Sequence, residues 1–287
     1  MIARLSAALV LALAGAVAAE TAPSPAPAKD ADRPRIDVAF CIDTTGSMQP
    51  YIDATKKKVW DIANGLLTGK PRPIVRLAVV AYRDINEEYL TQDLDLTDDI
   101  DRVHSYLMGL KAAGGGDEPE HVTAGLRDCV DKLSWSSGKR VLKAIYLIGD
   151  APAHVDYADG DYKPWAKKAV SMGINIHTLA CAGGSEVAQW QEIARLTDGQ
   201  FIQLPHIDRF AARRKTPLPP GVSRVEPEAS LAEREAATDS GATSKGLSTA
   251  GARPVAPAMA PAPEDAVGDK ILDSLKSEAK KKGVAEY

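Results

Sequence analysis

The chain has 287 residues, 45% of them apolar and 26% charged, which suits one substantial core with appendages and leaves little for a second complete domain. Its formal net charge is −4 with both signs mixed along the sequence, so there is neither a basic stripe for nucleic acid nor an acidic block. Nucleic acid is therefore not an expected partner.

Residues 1–19 join Arg4 to an apolar run and end on the small residues Val17, Ala18 and Ala19, just before Glu20. That is the pattern of a secretory signal peptide cut after Ala19. A membrane anchor is the competing reading, but the uncharged stretch 5–19 is shorter than the roughly 20 residues a spanning helix needs. The expected mature protein is secreted or periplasmic, with no membrane span once the signal is removed. Glu20, not a cysteine, stands directly after the cut, which argues against a lipid anchor, and residues 20–33 read as a linker with an Ala/Pro run at 21–28.

From 34 to 213 strand-like and helix-like stretches alternate, and this is the expected folded domain. Strands are predicted at 36–43, 74–84, 89–96, 141–150, 174–181 and 200–204. Several are apolar with little alternation, as central strands of a parallel sheet covered on both faces should be. Amphipathic helices lie between them, with Ile52, Val59, Ile62 and Leu66 on one face of the first and Val122, Leu126, Cys129 and Leu133 on one face of another. Two more carry Val103, Tyr106, Leu107 and Leu110, then Val187, Trp190, Ile193 and Ala194. The alternation predicts a doubly wound α/β sheet, mostly parallel. The strand at 89–96 follows its predecessor after a turn at 85–88, too short for a crossover, so it is expected as one antiparallel strand at the sheet edge.

Residues 214–264 turn to Pro, Ala, Ser, Thr and Gly, a composition that buries too little to offset its ordering entropy and reads as a flexible tail. In 265–287, Val267, Ile271, Leu272, Leu275 and Ala279 share a helical face ahead of Lys280, Lys281 and Lys282. Three settings are open to this short helix: docked on a partner, docked on the chain's own domain, or marginal in solution. Three cysteines, Cys41, Cys129 and Cys181, stand far apart among apolar neighbours with no CxxC pair. They read as small buried hydrophobes, with a single bridge through Cys129 as the alternative in an oxidising compartment.

In a doubly wound sheet, ligands bind beyond the carboxyl ends of the strands, and polar motifs follow strands three times here. The first is D-T-T-G-S-M, where Asp43, Thr45 and Ser47 put one carboxylate and two hydroxyls in a tight turn before a helix. Such hard oxygen donors suit Mg²⁺ or Mn²⁺; helix capping is the competing reading. The second, G-G-G-D-E-P-E at 114–120, opens a helix with three glycines, which suggests a loop closely approached by another group, while Asp117 and Glu120 are also placed to complement a helix dipole. The third, G-D-A-P-A-H at 149–154, puts Asp150 at the end of a very apolar strand, with a solvated carboxylate as its plain alternative.

Together these motifs resemble the von Willebrand factor type A (VWA) family over roughly residues 35–204, and D-T-T-G-S-M looks like the Asp-x-Ser/Thr-x-Ser segment of its metal-ion-dependent adhesion site. A-V-V-A-Y-R-D at 78–84 and the other two loops are similar to a subgroup found beside alpha-kinases and in exported bacterial proteins. The resemblance implies that Thr45 and Ser47 touch the metal through hydroxyls and that Asp43 and Asp150 bind it directly or through water. Where the family usually has a threonine in the second loop, Asp117 stands. Thr123 lies a turn inside the predicted helix and is a poor substitute; Glu120 ranks below Asp117 as a ligand. The implied function is an exported, non-enzymatic binding module whose under-neutralised metal accepts an Asp or Glu carboxylate from a protein partner.

Arg83 and Asp84 fit either a place behind the metal ligands or an ordinary ion pair, and His154 has no companions at zinc-ligand spacing. The rivals are a haloacid-dehalogenase-like Mg²⁺-dependent hydrolase and a metal-free VWA scaffold. The hydrolase would need a second Asp where Thr45 stands and a later acidic pair where Ala151 and Pro152 follow Asp150. A P-loop is excluded because no Gly-Lys-Ser/Thr follows the glycines, and Ser47 has no positioned base identifiable from the sequence.

Overall fold

The computed structural model describes residues 33–116, 119–181, 187–204 and 265–287. The expected signal peptide, the linker to residue 32, Asp117, the domain boundary at 213 and the 214–264 tail lie outside the described residues.

Six strands form one sheet: β1 (Arg35–Asp43), β2 (Ile74–Tyr82), β3 (Thr91–Thr97), β4 (Val141–Gly149), β5 (Ile174–Ala180) and β6 (Phe201–Gln203), in the order β3-β2-β1-β4-β5-β6. All neighbours are parallel except β2 and β3, which pair antiparallel at the edge. This is the doubly wound, mostly parallel α/β sheet with one antiparallel edge strand. The connection 83–90 is shorter than the dozen or so residues a parallel crossover needs, so β3 can only turn back on β2.

The helices are α1 (Gln49–Leu67), α2 (Ile100–Gly109), α3 (Val122–Asp131), α4 (Lys163–Ser171), α5 (Val187–Leu196) and α6 (Asp265–Lys281). Strand β1 explains the two-sided core. Its Ile36, Val38, Phe40 and Ile42 face a cluster completed by Ile52, Val59, Ile62 and Leu66 of α1, with Val103 and Leu107 of α2. Its Ala39 and Cys41 face the opposite cluster, which includes Val122, Leu126 and Cys129 of α3 and Trp190 and Ile193 of α5. Both periods predicted from the sequence, the helical faces and the non-alternating strand, come from this double burial.

Helix α4 was not foreseen. Its apolar face consists of Ala166 and Ala169, too small to register as periodicity, although Pro164 in its first turn is a start signal. The parallel pairing of β4 with β5 requires a crossover there.

The amino-terminal half of β1 also buries an acid. Asp37 is fully buried and accepts from Arg76 Nε (2.9 Å) and Nη2 (2.7 Å) on β2, and from the backbone N–H of Ser136 (2.7 Å). A planar guanidinium matched to both carboxylate oxygens satisfies that charge in place.

Of the three settings open to the C-terminal segment, the structure puts it on the chain's own domain. Val267, Ile271, Leu275 and Ala279 join the cluster that contains α1. Close approach is possible because Gly65 of α1 faces Leu272; a Cβ there would lie 2.6 Å from Leu272 Cδ2. Beyond the cluster, Glu278 sits 2.9 Å from His177 Nε2 on β5 and 2.9 Å from the Lys282 ammonium. The last residues add an antiparallel bridge, with Lys70 and Glu286 exchanging two 2.9 Å backbone hydrogen bonds.

Leu275 is fully buried in this arrangement, so Leu275→Ala should cost about 2–5 kcal/mol of unfolding free energy. Urea unfolding of the full chain measures it; a loss under about 0.5 kcal/mol, the size of a surface substitution, would mean that α6 does not belong to the core.

Candidate functional site

Strand order reverses at β1: one connection leads to β2 and the other neighbour is β4, which opens a crevice above their carboxyl ends. Asp43 is the last residue of β1 and is fully buried. Its Oδ1 accepts from the backbone N–H of Thr45 (2.8 Å) and from Thr45 Oγ1 (2.7 Å), while Oδ2 is buried without a hydrogen-bond partner among the described residues. The chain then makes a single 3₁₀ turn, Gly46–Met48, which leaves Ser47 exposed and leads into α1. Thr45 makes no side-chain capping bond to that turn, so the capping reading of its hydroxyl fails.

The glycine loop lies against this turn. Ala113 N–H donates to Thr44 O (3.1 Å), Gly46 N–H donates to Gly114 O (3.3 Å), and Gln49 Oε1 accepts from Ala112 N–H (2.9 Å). Gly114 has φ +76°, and a Cβ there would fall 1.8 Å from Glu87 Oε2. Glu87, from the β2–β3 connection, accepts the N–H of Gly115 at 2.7 Å. Gly114 is thus closely approached, as expected, by a carboxylate of the hairpin, and Gly115 lies in ordinary contact with the first turn, whereas a Cβ on Gly116 would meet nothing within 4 Å.

The third wall comes from β4 and the residues before α3. Asp150 follows β4 and is half-buried. Glu120 is tied to the segment beyond it by a parallel bridge: its N–H donates to Pro152 O (2.9 Å), and its C=O accepts from His154 N–H (3.0 Å). The result is an open cleft of about 370 Å³ lined by Thr45, Ser47, the glycine loop, Glu120, Asp150 and Ala151.

Asp43 thus stands within electrostatic reach of two further carboxyls, Asp150 and Glu120. Burial, then the repulsion of Asp150, pushes the Asp43 carboxyl up to about 7, against the pull of Thr45 and the Arg83 guanidinium. Burial, then Asp43, Asp84 and Glu87, pushes the Glu120 carboxyl up to about 9. Negative charge accumulates here faster than the described residues neutralise it.

Of the residues singled out from the sequence, Thr45, Ser47 and Asp150 line the cleft and Asp43 lies buried behind Thr45, which it holds by two hydrogen bonds; Asp117 lies outside the described residues. Thr123 is turned away, donating to Gly160 O at 2.5 Å. Arg83 makes an ordinary ion pair, but with Glu88, whose Oε2 lies 3.4 Å from its Nη1, and not with Asp84. Adjacent residues at a strand end point to opposite faces: Arg83 lies over the Tyr89 ring and donates to Lys111 O (3.1 Å), whereas Asp84 accepts from Tyr157 OH (2.8 Å). His154 Nδ1 pairs with Asp156 at 2.8 Å, and its ring stacks on Tyr157. All three cysteines are free and buried. Glu120 ranks low from the sequence because an acid in the first turn of a helix reads as a dipole partner, and Glu87 has no signal there because nothing in the sequence places the hairpin turn beside the glycines. Among the described residues no three His, Cys, Asp or Glu side chains group closely enough to hold an ion by themselves, so hydroxyls would have to contribute.

A family model described as von Willebrand factor A domain matches residues 37–205. An ariadne-like RING finger protein of Acanthamoeba polyphaga mimivirus is 25% identical over 175 residues, 61% of this chain and 16% of that protein. The alpha-protein kinase vwkA of Dictyostelium discoideum is 24% identical over 120 residues, 42% of this chain and 19% of the kinase. The chain therefore spans less than a fifth of either curated relative. Among solved structures, proximal thread matrix protein 1 of the mussel byssus aligns at 16% identity and TM-score 0.48, over 63% of this chain and 44% of that one. A von Willebrand factor type A protein from Catenulispora acidiphila aligns at 16% identity and TM-score 0.43, over 60% of this chain and 39% of that one.

Raised carboxyls give a signed pH dependence. Asp43 and Glu120 bind protons more tightly folded than unfolded, so without metal their contribution is greatest at low pH and is lost as pH rises through about 7 and about 9. In chelator, Asp43→Asn should therefore flatten the fall in unfolding free energy between about pH 5 and about pH 8 by at least about 1.4 kcal/mol, the worth of one pKa unit. Parallel denaturant curves for the two proteins would refute this if their pH slopes coincide.

Proposed function

Because the chain belongs to the von Willebrand factor A domain family, matched over residues 37–205, we propose that it is an exported protein-binding module that uses a Mg²⁺ or Mn²⁺ ion in this cleft. The observation that carries the reading is the contrast between two buried aspartates on β1. Asp37 has a bidentate arginine, whereas Asp43 keeps a buried Oδ2 with no partner among the described residues, beside two hydroxyls and two further carboxyls. A buried carboxylate oxygen without a donor is costly unless a cation or a proton takes it. An all-oxygen set of carboxylates and hydroxyls fits a hard divalent cation and poorly suits a softer one.

When bound, the ion supplies a positive centre able to accept one more oxygen ligand. Asp43 holds Thr45 in place through two hydrogen bonds that use the Thr45 hydroxyl hydrogen and leave its lone pairs open to the cleft. Ser47, exposed at the rim, offers a second neutral oxygen. Neutral donors leave the positive charge incompletely cancelled, which favours an Asp or Glu carboxylate offered by a partner protein. The module binds without catalysing a reaction, and the leader sequence directs it to the periplasm or the medium. Among the described residues no helix is long and apolar enough to cross a membrane.

Full-length protein immobilised in Mg²⁺ should capture a partner from the host's cell envelope and release it in chelator. Asp43→Ala should capture none while keeping its circular dichroism spectrum. Equal capture by wild type and variant in both buffers would make the domain a metal-free scaffold, and turnover of general phosphate esters above background would favour the hydrolase instead.

A further inference from the structure

Glu120 was ranked below Asp117 from sequence, yet it is only 3% exposed and lines the cleft. Its Oε2 is buried with no hydrogen-bond partner among the described residues. The Thr45 side chain faces both Glu120 and Asp43, but a threonine hydroxyl has one hydrogen to donate, and the 2.7 Å bond to Asp43 Oδ1 takes it. The charged groups acting most strongly on Glu120 are Asp43, Asp84 and Glu87, all of the same sign. Its backbone is fixed on both sides by the bridge to Ala153, so the side chain does not reach the cleft through a loose loop.

We infer that Glu120 is a resident carboxylate ligand of the metal site proposed above, placed by the bridge to the residues after β4. The assignment rests on that site holding a divalent cation. It joins two orphaned carboxylate oxygens, Asp43 Oδ2 and Glu120 Oε2, through one cause: each lacks a donor because a cation completes both. It also carries a consequence for specificity. With Asp43, Asp150 and Glu120 all ionised, a divalent ion is retained more firmly and draws a partner's carboxylate less strongly than a site built on hydroxyls.

Mn²⁺ alone is the probe. Isothermal titration of the full chain should give a Glu120→Gln affinity weaker than wild type by at least about tenfold, the loss seen when even a group behind the direct ligands is removed. In chelator, Glu120→Gln should melt no lower than wild type, because the amide keeps the size of the carboxyl and brings no charge beside Asp43. Glu120→Asp, which keeps the charge one methylene short, should fall between the two; an affinity no better than that of Glu120→Gln would overturn the assignment even if Glu120→Gln folds poorly. Glu120→Gln binding Mn²⁺ within about twofold of wild type, well short of the expected tenfold loss, while Asp43→Ala has lost it, would remove Glu120 from the site and leave the site standing. A wild type that takes up no Mn²⁺ would bring down the site and the ligand together.

Discussion

A strand with parallel neighbours on both edges and helices on both faces can place charge only near its ends or beside a dedicated partner, and β1 is that strand. Everything between Asp37 and Asp43 is apolar and fully buried. The two acids mark its two ends in opposite ways. Asp37 has a guanidinium from the adjacent register position of β2, since Asp37 and Arg76 are Cα partners. Asp43 stands beside Tyr82 of β2 and just beyond the last pairing with β4, where no basic side chain comes within ion-pair distance among the described residues. One end of the strand is locked, and the other keeps a buried carboxylate oxygen without a partner among the described residues.

The rest of the cleft follows from that end. The crevice exists because neighbours leave β1 in both directions, and its walls are loops held by backbone hydrogen bonds to one another more than by side chains. Thr44, Gly46 and Gln49 all bond the glycine loop, and Glu120 bonds the segment after β4. Donors fixed on strand ends and paired loops need little reordering to meet a ligand. The unfavourable repulsion among Asp43, Asp150 and Glu120 is tolerated because the apolar layers on both sides of the sheet over-determine the positions of these backbones.

Helix α6 adds to one of those layers. It covers α1, whose first turn directly follows the site, and its Glu278 reaches His177 on β5, whose ring stacks on Tyr146 of the same layer. The C-terminal segment is therefore part of the same hydrophobic layer that holds the first turn. A helix of 17 residues is marginal alone but stable once one face is buried.

By itself, the sequence determined the periodic and the local features. Non-alternating runs marked the central strands, helical faces marked α1 and α3, a short turn marked the antiparallel edge, and D-T-T-G-S-M marked the first turn of the site, because each is a property of contiguous residues. Helix α4 escaped because alanines make a weak stripe. The tertiary structure alone decided three things: that the C-terminal helix belongs to the chain's own core, that Glu87 anchors the glycine loop, and that Glu120 lines the cleft with one buried oxygen left without a partner among the described residues. Each depends on groups tens of residues apart being brought within a few ångströms. A carboxylate's role is set by the donors it can reach after folding, and spacing along the chain carries no record of them.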